Sequence, residues 1–128
     1  MSRRMSRGFS LIELIVVVAI IALLLVVALP RYQSSLDRAE FVALSSSLRT
    51  MRESIDRFHE DKGRYPQNLE ELVEEKYLRE IPLDPITDSK TTWLPMEDTS
   101  EGRGGMSDVR SGAKGVALNG VSYTNLAP

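Results

Sequence analysis

The chain has 128 residues, no cysteine, and 16 basic against 18 acidic side chains, a formal net charge of −2. Without cysteine there can be no disulfide, thiolate-ligated zinc or thiol nucleophile. The near-neutral balance also lacks the clustered Lys/Arg surface of a nucleic-acid-binding domain.

The charge is unevenly placed. Arg3, Arg4 and Arg7 precede Gly8 with no acid among them, and the thirteen basic and eighteen acidic residues that follow make the remainder mildly acidic. Every residue from Leu14 to Leu29 is apolar, and extending back to Phe9 adds only Ser10 and Glu13 as interruptions. About 21 residues at 1.5 Å each give roughly 31 Å of helix, matching a hydrocarbon core of about 30 Å. A buried core helix is the alternative, but this run is longer than such a helix needs and has no polar face. The three arginines before it predict a cytoplasmic N-terminus, with the rest of the chain across the membrane. A cleaved secretory signal would have a shorter apolar core and a small-x-small end; "VALPRY" is a poor match.

Glu13 is the anomaly in this segment. An intramembrane acid costs about 2.5–3.5 kcal/mol on insertion scales. The thirteen large aliphatic side chains from Leu14 to Leu29, at roughly −0.3 to −0.6 kcal/mol each, outweigh that cost. Either Glu13 reaches interfacial water, or it awaits a cation inside the membrane. A cut between Gly8 and Phe9 would create such a cation, an α-amino group one helical turn away. In a bundle of identical helices, the Glu13 of one copy could face the Phe9 amine of another, a pairing that specifies register more than it adds stability.

"RGFSLIEL", the apolar run behind it and Pro30 resemble the type IV pilin signal: a basic leader ending in Gly, cleavage before Phe, Glu at the fifth mature position and Pro at the twenty-second. The resemblance covers about 25 residues. It implies a leader of residues 1–8, removed by a membrane prepilin peptidase that cuts after Gly8 and methylates the Phe9 amine. It also implies that Glu13 admits each subunit to a growing filament.

Pro30 removes an amide donor and predicts a kink or loosening of the helix. The transmembrane or filament-core segment is therefore taken as 9–30 and a stem as 31–62. Leu44, Leu48, Met51, Ile55 and Phe58 recur at steps of four and three, an amphipathic helix from about Tyr32 to Asp61. Arg49, Arg52, Glu53, Asp56, Arg57 and Glu60 are assigned to its opposite face, and the lone His59 to the solvated side. The stripe is read as core against the small domain at 63–128, with a second filament-packing face as the alternative. Gly63 is a helix stop.

Asn68 can cap a short helix bearing Leu69, Leu72, Val73 and Tyr77 on one side, with Glu70 and Glu71 in its first turn. Pro82 and Pro85 then force an extended loop. Short β-like runs follow at Thr91–Met96, about Met106–Arg110, Val116–Leu118 and Val121–Tyr123, with Asn119-Gly120 as a tight turn and 99–105 as a loop. The expected fold class is α+β: a long N-terminal helix, transmembrane half plus amphipathic half, packed on a small antiparallel β-sheet with Trp93 in the shared core.

From "GRYP" through "IPLDP" the chain is similar to the core pseudopilins of bacterial type II secretion systems, the component called G. That resemblance implies a calcium site in the C-terminal loop. Here the loop reads "SGAKG" at 111–115, with Lys114 where the family tends to have an acid. Calcium takes six to eight oxygens, several from carboxylates; the candidates are Asp108, Ser111, Asn119, Asn125 and backbone carbonyls. Lys114 counts against the site, and no cofactor is expected.

No catalytic constellation emerges. Ser45, Ser46 and Ser47 lack a strand–turn–helix context, there is no phosphate loop, and the acids of the short helix read as a solvated face. The expected function is structural, a subunit of a type II secretion pseudopilus that polymerises through its apolar helix into a periplasmic filament and helps export folded proteins. By the resemblance its partners are copies of itself, prepilin peptidase, minor pseudopilins, an inner-membrane platform, a cytoplasmic ATPase and an outer-membrane secretin. The alternatives are a type IV pilin of a surface fibre for motility, adhesion or DNA uptake, and a monomeric membrane-tethered binding module.

Overall fold

A computed structural model describes residues 8–98 and 104–126; the leader arginines and most of the 99–105 loop lie outside the described residues. The chain forms helix α1 (Leu11–Lys62), helix α2 (Leu69–Glu74), strands β1 (Trp93–Glu97) and β2 (Met106–Ser111), and a 3₁₀ turn at Tyr123–Asn125. It divides into two compact units, one ending at Leu36 and one beginning at Asp37.

In the first unit α1 starts at Leu11 and runs on through Pro30. The expected kink leaves no gap in the helix, and the stem expected from about Tyr32 is the continuation of α1 to Lys62.

In the second unit, Leu44, Leu48, Met51, Ile55 and Phe58 are all 0–1% exposed, so the stripe is core. Burial of a side chain of this kind stabilises by about 1.5–3 kcal/mol, and this stripe is the surface on which the rest of the unit assembles. Leu69, Leu72, Leu78, Trp93, Met106, Val109, Ala117 and Leu126 join it in one cluster. The Trp93 indole N–H donates to the Pro82 carbonyl at 2.8 Å, and Phe58 meets Tyr77 edge-on at 5.3 Å.

The α1 terminus follows from Gly63. Its φ of 69° is left-handed backbone, and its N–H caps the His59 carbonyl at 2.9 Å, the role for which glycine is favoured. His59 is not simply solvated as expected: it is half-buried and stacks on Tyr65 at 4.2 Å.

Asn68 caps α2 as expected, its side chain accepting the Glu71 N–H at 2.8 Å. Glu71 in turn accepts from Arg64 and from the Gln67 N–H, both at 2.6 Å. These bonds reach back across the helix start and fix the angle at which the chain enters α2.

β1 and β2 are antiparallel, with Trp93 opposite Ser111, Leu94 opposite Arg110 and an irregularity between Met96 and Glu97. β1 thus starts two residues later than the sequence predicts and β2 matches its expected place. The predicted strands at 116–118 and 121–123 are corrected. Only an isolated bridge joins Val116 to Ser122, and Tyr123 begins the 3₁₀ turn. The turn itself exists, with the Gly120 N–H on the Ala117 carbonyl at 3.0 Å. Val116, Leu118 and Val121 are exposed and only Ala117 between them is buried, too small a face to extend the ladder.

The bond from Arg64 holds the Glu71 carboxylate below its usual range, helped by the Gln67 N–H. A carboxyl depressed in the folded state stabilises fully above its unfolded pKa, and that contribution is lost as pH falls through the folded value. Glu71→Gln is therefore expected to lower stability near pH 7 by at most about 1 kcal/mol, since water screens the half-exposed Arg64. In thermal melts at descending pH, the gap between the two proteins should narrow below the unfolded carboxyl pKa and close once pH has passed the lower folded value; a gap undiminished there contradicts this account.

Candidate functional site

The first unit presents an unusual surface. Every large apolar side chain from Phe9 to Leu29 is exposed, from 45% at Val17 to 83% at Phe9. The helix is long and apolar enough to cross a membrane, and none of that stretch is buried.

Glu13 lies in the first turn of α1. The Ser10 hydroxyl oxygen accepts the Glu13 N–H at 3.2 Å, and the Ser10 carbonyl accepts the Leu14 N–H at 3.2 Å. Ser10 is thus the N-cap and Glu13 the third helical residue, where the helix dipole favours an anion. The Ser-x-x-Glu spacing is the sequence signal for this. Gly8 and Phe9 precede the helix and are exposed, and a Cβ on Gly8 would meet nothing within 4 Å. The expected scissile bond therefore lies in accessible, non-helical chain four residues before Glu13.

The four candidate calcium donors are not brought together. Asp108 pairs with Arg52 at 2.8 Å. Asn125 accepts from Arg110 at 3.2 Å. Ser111 is fully buried and donates to Asp84, and Asn119 accepts the Val121 N–H of its own turn at 3.1 Å. Among the described residues no group of three acidic or histidine side chains could hold a metal.

Two side chains outside the expected site organise this region. Arg52 does not face away from the core: its side chain is 15% exposed. Its place four residues after Leu48 and three before Ile55 puts it on the edge of the stripe, which is the signal that was available. Asp84 is fully buried. It accepts the Ile86 N–H at 2.9 Å and the Ser111 hydroxyl at 2.5 Å, so the Asp-Pro loop is tied to the end of β2.

Residues 3–29 match the family described as the prokaryotic N-terminal methylation motif. Over 101 residues the chain is 31% identical to the type II secretion system core protein G of Pseudomonas aeruginosa, covering 66% of this chain and 71% of that protein. This chain belongs to the type IV pilin-like superfamily. Other pilin-like relatives are the core protein G of Klebsiella michiganensis, 28% identical with the same coverage, and the fimbrial protein EcpC of Eikenella corrodens, 26% identical over 81% of this chain and 71% of that protein. No solved structure matches the chain. The pilin-like chain is a structural subunit rather than an enzyme, either a type II secretion pseudopilin or a type IV pilin.

Within this pilin-like chain, Gly112 has a packing reason. A Cβ there would collide with the Thr92 carbonyl oxygen across the β1–β2 pair, a backbone atom that can yield only if the strand moves. Gly112→Ala is expected to destabilise the second unit by about 1–3 kcal/mol, read as a lower Tm by Trp93 fluorescence; an unchanged Tm would place the strands further apart than they stand here.

Proposed function

We propose that the chain is a prepilin-type subunit of a type II secretion pseudopilus. It is held in the inner membrane by residues 9–30, trimmed between Gly8 and Phe9, methylated at the Phe9 amine, and polymerised through the same helix. The observation that carries this reading is the exposed apolar helix with its acid in the first turn, four residues from an accessible Gly-Phe bond. In lipid the apolar side chains are satisfied, but the Glu13 charge is not. Beside other copies, each Phe9 amine supplies the missing cation.

Removing one partner of a buried ion pair costs about 3–5 kcal/mol, on the order of a hundredfold or more in each subunit contact. The arginines of the leader favour a cytoplasmic start and a periplasmic second unit. Prepilin peptidase, a membrane platform with its ATPase, minor pseudopilins and an outer-membrane secretin are the partners this reading requires.

The similarity to core protein G over two thirds of the chain supports a pseudopilus. The similarity to the Eikenella fimbrial protein supports the second reading, a surface pilin. Deletion separates them: lost protein export with motility intact supports the first, and lost twitching with export intact supports the second.

Electron microscopy of the overexpressed protein tests assembly. Filaments are expected from the parent chain and none from Glu13→Ala, which should still fractionate with the inner membrane. Gly8→Val should retain the N-terminal methionine on sequencing, and the open space around Gly8 makes misfolding a poor explanation for that outcome. Filaments of normal number from Glu13→Ala would instead support a membrane-tethered monomer or a contact elsewhere on the chain.

A further inference from the structure

Arg52 reaches from the stem to two separate parts of the C-terminal segment. Its Nε donates to Asp108 Oδ1 at 2.8 Å. Its Nη2 donates to the Val109 carbonyl at 3.1 Å and to the Leu126 carbonyl at 2.8 Å. One carboxylate and two backbone carbonyls, drawn from β2 and from the residue after the 3₁₀ turn, therefore converge on a single cation. Those are the oxygen types that a hard divalent ion would collect in closing such a loop. Here a guanidinium collects them, with the planar fork that suits several acceptors at once.

The surroundings disfavour a metal beside it. From residue 104 to 126 Asp108 is the only acid, against Arg110 and Lys114, and Arg110 engages Asn125, another of the candidate donors. Arg52 Nη1 is buried with no partner, so the site has donor capacity left over, where calcium needs acceptors.

We propose that Arg52 is the built-in cation of this fold, gathering Asp108, Val109 and Leu126 so that the C-terminal segment closes on the stem without calcium. The consequence is a subunit whose folding does not depend on the divalent ion content of its surroundings. This goes beyond the filament reading and does not rest on it.

The test uses the full chain in detergent, melted in EDTA and in millimolar calcium, with Trp93 as the reporter. Trp93 is the sole tryptophan and lies in the core of the second unit. The two parent melts should agree within about 1 °C, because an ion that does not bind cannot shift the transition. Arg52→Met should lower Tm by about 5–15 °C in both buffers. Arg52→Lys, which keeps the charge and loses the fork, should fall between them and carries the comparison if Arg52→Met does not fold. A parent Tm raised by calcium by more than about 3 °C would overturn the proposal, as would an Arg52→Lys variant that melts with the parent.

Discussion

The side chains from Phe9 to Leu29 have nowhere to go in an isolated subunit. Sixteen large apolar residues, each of which would gain about 1.5–3 kcal/mol on leaving water, stand on a helix with no polar face. Such a surface calls for an apolar cover, which lipid or copies of itself would supply, and the two environments differ in one respect. On the proposed reading, lipid covers the hydrocarbon but leaves Glu13 unpaired, whereas neighbouring chains cover both. The proposed function thus makes the anomaly in the sequence the feature that favours one apolar environment over the other.

The second unit meets a different problem, that of a small domain with no disulfide. Its answer is to build on the stem. The stripe from Leu44 to Phe58 forms one wall of the core, while the strands contribute Trp93, Met106 and Val109. The short elements have little stability of their own: α2 has six residues and the sheet two strands, lengths at which neither helix nor hairpin is stable alone. Polar ties do what longer elements would do elsewhere. Arg52 fastens β2 and Leu126 to the stem, Asp84 fastens its loop to Ser111, and Tyr77 reaches Asp61 at 2.7 Å.

How much of this could be read in the residues depends on whether the signal was local. The membrane-length run, the stem stripe, the Gly63 stop and the Asn68 cap all rest on contacts within a few residues, and each stands where its pattern predicts. The short strand at 93–97 was legible to within two residues. Arg52 was not, because a charge beside an apolar stripe reads as solvated unless its acceptors, 56 to 74 residues away, are known. Asp84 was likewise hidden, since an Asp-Pro loop announces a turn but not a buried partner 27 residues on. The absent hairpin at 116–123 is the converse case. Its residue types favoured strands, yet of residues 116–121 only the small Ala117 turns into the core, too little apolar surface to reward pairing.

The central claim is that the apolar helix exchanges lipid for other copies of itself once the basic leader is gone. As the chain has no cysteine, single cysteines placed one at a time from Leu11 to Leu29 can report that exchange through disulfide-linked dimers. Efficient cross-linking that rises and falls with helical period in the processed protein, and is lost when Gly8→Val keeps the leader, is the predicted result. Equal cross-linking with and without the leader, or none at any position, would contradict it.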